Sequence, residues 1–150
     1  MRNTSLRVFS AFVLFTFAPL LLLAGLMLHT ETTISVPEGS DPIPLTRLVY
    51  KSRRFEAAVT SVQLQRESSE GADPLIAKWL FTGSNNDGQV HRLEMQIRLL
   101  DEEGKQIAWF VAKHPLAAGA RDQAFSVPMK VKAEVWSRAK RVRIFADWIT

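Results

Sequence analysis

The sequence predicts an all-β fold: an antiparallel β-sandwich of six or seven strands, preceded by one N-terminal transmembrane helix. Three observations predict it. Val8 to Leu28 is a 21-residue run without a charge. Leu93, Met95, Ile97 and Leu99 alternate with Glu94, Gln96 and Arg98, the period of a strand with one buried face. Similar segments recur at short intervals, separated by turn-forming residues. At 150 residues and 47% hydrophobic, the chain has the size of one domain with an ample core.

The apolar run comes first. As a helix, its 21 residues span about 31 Å, close to the roughly 30 Å hydrocarbon core. Arg2 and Arg7 precede it, and the next basic side chain is Arg47. The positive-inside rule then keeps residues 1–7 as a cytoplasmic tail and exports the remainder. The competing reading is a cleaved signal peptide, with a shorter apolar region and a small-x-small cleavage site. Leu22/Ala24, Leu23/Gly25 and Leu28/Thr30 all fail that test, and Thr30-Glu31-Thr32 fits it poorly. Leu23-Ala24-Gly25 opens like a lipoprotein box, but Leu26 stands where Cys is required. Within the run, Ala11, Ala18 and Gly25 recur every seven residues. Small residues on one stripe let a second helix approach closely in lipid.

Residues 29–44 hold Pro37, Gly39, Ser40, Pro42 and Pro44. That composition predicts an extended linker that holds a domain of residues 45–150 off the membrane. Within that domain, Leu45–Lys51 is a candidate edge strand. Phe55–Gln65 and Leu75–Thr82 are Val- and Thr-rich or apolar strand candidates. Ser84 to Gly88 has strong turn chemistry. The 93–99 strand turns at Asp101–Lys105, with Gly104 free to take positive φ. It returns as Gln106–Ala112, forming a hairpin with Ile107, Trp109 and Val111 on one side. Arg121–Val127 is a short strand before Pro128. Met129–Ser137 reads as a short helix or irregular crossover, with Ser126 as a cap and Pro128 in the first turn. Arg141–Trp148 closes the chain, with Val142, Ile144, Ala146 and Trp148 on one face.

The order Leu80–Gly83, Asn86 and Gly88, Ile97-Arg98-Leu99-Leu100-Asp101, Gly104, Leu116–Gly119 and Phe125 resembles the FxLYD-type small β-sandwich domains. The resemblance covers roughly residues 75–148. Leu99 and Asp101 match the namesake motif, whereas Ile97 stands for Phe and Leu100 for Tyr. The resemblance implies an immunoglobulin-like domain, exported or membrane-anchored, acting as a scaffold or interaction module. It carries over no catalytic residues.

The absence of Cys excludes disulfides, thiolate metal sites and a Cys nucleophile. His91 falls at the start of a strand on its polar face, His114 in a loop before Pro115, and His29 at the membrane exit. No His pair has metal-ligand spacing. Asp101, Glu102 and Glu103 are adjacent acids in a turn, lacking the alternation of a calcium loop. No nucleophile elbow or phosphate-binding glycine loop occurs. The expectation is a non-enzymatic protein with no cofactor and no evident small-molecule substrate.

Charge is spread evenly. Of 19 Lys and Arg, Arg2 and Arg7 precede the apolar run, which leaves 17 against 15 acids. A nucleic-acid partner is therefore not expected. Two basic runs stand out: Lys51, Arg53 and Arg54, and then Arg138, Lys140, Arg141 and Arg143 with Trp136 nearby. The second run is a candidate contact for a partner or for anionic lipid heads, against the plainer reading of a solvated strand face. Trp79, Trp109 and Trp148 are expected at the core or its rim, and an exposed one would mark an interface.

These readings combine into one expectation. The chain is a single-pass protein of the cytoplasmic membrane, N-terminus inside and C-terminal domain periplasmic or otherwise extracytoplasmic. It serves as an accessory subunit docked on an integral membrane partner through its helix and sandwich. The alternative is a free-standing envelope module that binds a small ligand or peptide.

Overall fold

The computed structural model describes residues 27–149, in which the alternating segments become nine strands and one short helix. The strands are β1 (Met27–Ser35), β2 (Ile43–Pro44), β3 (Val49–Lys51), β4 (Glu56–Arg66), β5 (Leu75–Asn85), β6 (His91–Leu100), β7 (Gln106–Leu116), β8 (Gln123–Val131) and β9 (Arg141–Ile149). The helix α1 (Ala133–Arg138) lies between β8 and β9. All pairings are antiparallel. One sheet has the order β1-β9-β6-β7. The other runs β2-β4-β5-β8, with β3 also paired to β4. The fold is all-β and sandwich-like.

The period of two builds the core. Trp79 and Phe81 from β5 meet Met95 and Ile97 from β6, and Ile144 and Trp148 from β9, in one buried cluster. Each such side chain contributes about 1.5–3 kcal/mol on burial. Asn85 locks one end of the sandwich. Its Nδ2 donates to the carbonyls of Gln89 (2.8 Å), Ala117 (3.0 Å) and Leu116 (3.3 Å). Its Oδ1 accepts from the amide of Asp87 (2.9 Å). One buried amide thereby ties two loops to the ends of β5 and β7.

The predicted hairpin forms between β6 and β7. Gly104 takes φ +82° in its turn, and the amide of Lys105 donates to Asp101 Oδ1 (2.8 Å). Ile107 packs against the core, but Trp109, expected at the core or its rim, does not. Ala108, Phe110, Ala112 and Leu116 turn inward with Ile97 and Leu99, and Trp109 and Val111 point out. Both parities of this strand are apolar, so alternation alone does not choose between them. A register irregularity at Leu99/Leu100 makes the choice, and a one-residue slip exchanges the faces.

The linker expectation fails over its first half. Residues 27–35 form β1, in register with β9 from Met27↔Ile149 to Ser35↔Arg141. Thr30, Thr32, Thr33 and Ile34 are β-branched, and Leu28 and Ile34 pack against the core. The Pro and Gly residues that suggested a spacer begin only at Pro37. The strand-built domain thus includes residues from Met27 and does not wait for Leu45, and the last two residues of the predicted 8–28 helix belong to β1. Residues 8–26 lie outside the described residues, as do Arg2 and Arg7. Among the described residues, no helix is long and apolar enough to cross a membrane.

The expected 129–137 helix is displaced. Met129 to Val131 complete β8, and α1 begins only at Ala133 with Lys132 at its N-cap. Ser126 and Pro128 lie within β8, which is an edge strand. An edge strand is where a sheet tolerates proline.

A candidate interaction face

The outward face of the four-stranded sheet departs from a plain solvated surface. Register sets side chains from its strands in rows. One row holds Thr33, Arg143, Arg98 and Trp109. The next holds Glu31, Phe145, Gln96 and Val111, and a third holds His29, Asp147, Glu94 and Lys113. Trp109 is 54% exposed and Val111 43%. Phe145 lies on the same outward face, yet only 5% of it is exposed.

Phe145 is covered by its polar neighbours. The Arg98 guanidinium carbon lies 4.3 Å from its ring centroid, and the His29 ring centroid is 5.0 Å away. A guanidinium over an aromatic face is attracted by the ring quadrupole. Hydrogen bonds then run across the sheet. His29 Nδ1 pairs with Asp147 Oδ1, and Gln96 Nε2 donates to Asp147 Oδ2 (3.1 Å). Arg98 Nη2 donates to Gln96 Oε1 (3.1 Å). Inward of this face, Trp148 Nε1 donates to Thr30 Oγ1 (3.2 Å), which fastens β1 to β9.

Arg98 and Arg143 stand opposite each other on neighbouring strands. Like charges in that register repel. The Nε of each is buried without a hydrogen-bond partner. The pair therefore suits a carboxylate-bearing partner, which would offset the repulsion, and Trp109 beside it supplies a flat apolar anchor. Trp and Arg are the residues that dominate binding energy at interfaces.

The residues singled out in the sequence fall elsewhere, apart from Arg141 and Arg143. Ala11, Ala18 and Gly25 lie outside the described residues. Arg138 reaches Asp101 at 3.8 Å, and Arg141 Nη2 donates to the Glu102 carbonyl at 3.4 Å. These two basic residues therefore enclose the acidic turn of the β6–β7 hairpin. Lys140 is exposed beside them. Trp136 packs against the core, with the Arg66 guanidinium 5.9 Å from its ring. Arg141 and Arg143 share the outward face of β9 with Phe145 and Asp147.

Two histidines are corrected. His91 is buried, not on a polar face. Its Nε2 donates to Asp87 Oδ2 (2.8 Å), and its ring stacks on Phe55 at 5.0 Å. His114 lies within β7 and not in a loop, and its Nε2 donates to the Ser126 carbonyl of β8 (2.8 Å). It thereby ties the edges of the two sheets together. Among the described residues, no group of three His, Asp or Glu side chains could hold a metal ion.

Sequence reasoning missed Arg98, Gln96, Phe145 and Asp147. A signal was present: Phe145 interrupts the outward parity of β9 between Arg143 and Asp147. An aromatic residue among charged ones on a solvent-facing row marks a surface that its neighbours must cover. A comparison with family models finds no match to this chain, and none of the curated proteins matches it.

Proposed function

We propose that this chain is a membrane-anchored, non-enzymatic interaction subunit. Its extracytoplasmic sandwich presents the Trp109–Arg98–Arg143 row to an acidic surface of an integral membrane partner. The observation that carries this reading is the exposed Trp109 beside two opposed guanidiniums on a sheet face that is otherwise hydrogen-bonded. The apolar run supports the anchor. Residues 8–26, ahead of β1, form a helix of about 28 Å if wound continuously, still close to the hydrocarbon thickness. The stripe of Ala11, Ala18 and Gly25 supplies the close helix contact within the bilayer. Arg2 and Arg7 hold the N-terminus inside.

The strand order supports the immunoglobulin-like reading. Strands β4, β5 and β8 occupy the places of strands A, B and E of that fold, β6 and β9 those of C and F, and β7 that of C′. The place beside F, held by the last strand G in that fold, is filled here by the N-terminal β1.

The test is recovery of the full-length tagged chain from its native membrane in mild detergent. A defined partner should co-purify with the intact chain, Met1 to Leu28 included by mass. Arg98→Glu with Trp109→Ala should lose that partner, and Leu at positions 11, 18 and 25 should weaken its recovery. Undiminished recovery with both sets of variants would overturn the docking assignment.

One observation favours the alternative, a free-standing binding module. A cleft of about 700 Å³ opens between the 52–55 turn and the 86–90 loop, lined in part by Arg53, Arg54, Phe55 and His91. Recovery of a lone chain trimmed near Thr32, stabilised against heat by a small anionic ligand, would select that reading.

A further inference from the structure

We infer that the end of the sandwich at which β1 begins is a lipid-binding surface, seated on anionic phospholipid headgroups. The inference rests on the anchored reading above and adds which surface of the domain meets the bilayer.

Chain geometry comes first. β1 includes Met27 and Leu28, the last two residues of the apolar run, so on the anchored reading no spacer separates that run from the domain. The strand register then defines which loops share that end. Met27 is opposite Ile149, and Ile149 is opposite Arg92 at the start of β6. The 52–55 turn, the 86–90 loop and the 117–122 loop all gather there. The nine residues of β1 place the opposite end roughly 30 Å away.

Charge and polarity differ between the two ends. At the β1-start end, Arg53, Arg54, Arg92 and Arg121 are exposed. None has an ion-pair partner among the described residues, whereas Lys51 and Lys113 are paired with Glu56 and Glu94. Of the acids at this end, Asp87 is taken by His91 and Glu56 by Lys51, which leaves Asp122, exposed beside Arg121, against the four arginines. Val90 stands 58% exposed immediately before β6, and Phe55 is half-buried in the nearby cleft between the 52–55 turn and the 86–90 loop. At the far end, acids concentrate in the 36–42, 67–74 and 101–105 loops, and the Arg138 and Arg141 cations there are engaged by the 101–105 turn. Free cations around an exposed apolar side chain suit a headgroup region, where the cations meet phosphate and the apolar side chain enters the acyl boundary.

Screening decides which basic run does this. The Debye length is about 8 Å at physiological salt, so charges roughly 30 Å from the membrane contribute little. Arg138, Lys140 and Arg141 sit at the far end, beside the Asp101 turn. The lipid contact therefore falls to the earlier run, Arg53 and Arg54, joined by Arg121 and Arg92.

The chain has no Cys, so single cysteines report cleanly. Val90→Cys and Glu103→Cys are each labelled with an environment-sensitive fluorophore. The full-length protein is reconstituted into vesicles of phosphatidylcholine, alone or mixed with phosphatidylglycerol, carrying a lipid-borne quencher. The Val90 label should be quenched several-fold more than the Glu103 label. The difference should widen with phosphatidylglycerol and shrink in high salt. Arg53→Glu, Arg54→Glu and Arg121→Glu together should remove the phosphatidylglycerol-dependent part, with the melting temperature confirming that this variant is folded. Equal quenching at the two positions, or a difference indifferent to lipid charge, would overturn the inference. Flotation of the same vesicles after an alkaline carbonate wash separates the two levels. A chain that floats without selective quenching refutes only the lipid surface. A chain that fails to float refutes the anchor, and the inference with it.

Discussion

The two sheets of this protein have equivalent inward faces and very different outward ones. Inward, both alternate large apolar residues: Trp79 and Phe81 on one, Ile144 and Trp148 on the other, all fully or almost fully buried. Outward, the β4-β5-β8 surface is dominated by Thr60, Thr82, Ser84 and Lys78, with Ile76 its one large exposed hydrophobic side chain among the described residues. The outward face of the other sheet combines exposed Trp109 and Val111, a covered Phe145 and two opposed arginines. Folding needs each sheet to bury only one face, and the first outward surface meets that need with ordinary polar residues. The second surface carries apolar area and unpaired cations that folding does not require. Such an excess points to recognition.

The comparison can be broken most sharply at the shared core. Trp148→Ala should destabilise the domain by about 3–5 kcal/mol, because it opens a cavity and removes the donor to Thr30. Chemical unfolding monitored by the remaining tryptophans measures it. A loss below about 1 kcal/mol would mean that the inward faces are not packed as described.

Phe145→Ala tests whether the outward aromatic is structural. It should lower stability by about 2 kcal/mol, less than a central core residue, since its cover is made of polar side chains that can turn to water. The same unfolding assay applies. An unchanged midpoint would return Phe145 to the class of incidental surface residues.

Trp109→Ala separates folding from recognition. Its unfolding free energy should stay within about 0.5 kcal/mol of the parent. Partner recovery should fall at least tenfold if Trp109 anchors the interface, equivalent to about 1.4 kcal/mol of binding. Loss of stability in place of recovery would assign it to packing.

The smallest effect is expected at Thr82→Ala on the opposite face. It should leave stability within about 0.5 kcal/mol and partner recovery unchanged. A large fall in recovery there would move the docking surface to the wrong sheet and dissolve the contrast.

Much of the fold was legible because alternation is a local signal. The β6–β7 hairpin, its Gly104 turn, β5 and β9 all follow from residues within a few positions of one another. The candidate face was not legible, for three physical reasons. In β7 both parities are apolar, so Trp109 and Val111 looked like core until the register irregularity at Leu99/Leu100 turned them outward. In β1 the threonines gain their partner more than a hundred residues later, in β9, and the prolines that follow gave the segment the look of a spacer. His91 looked like a polar strand end because Phe55 and Asp87, which enclose it, arrive from other loops.

By itself, the sequence determined the all-β class, the main strands and turns of the domain, and the absence of any cysteine-based chemistry. Each depends on residue type or short-range periodicity, which the chain carries wherever it is placed. Only the tertiary structure decided that residues 27–35 join the four-stranded sheet as β1. It alone opposed Arg98 to Arg143 and laid Arg98 over Phe145, and it gathered Arg53, Arg54, Arg92 and Arg121 at one end, away from the acidic 101–105 turn. Those facts depend on register between distant strands. Register is fixed by how both sheets bury their inward faces together, a condition that no single segment satisfies alone.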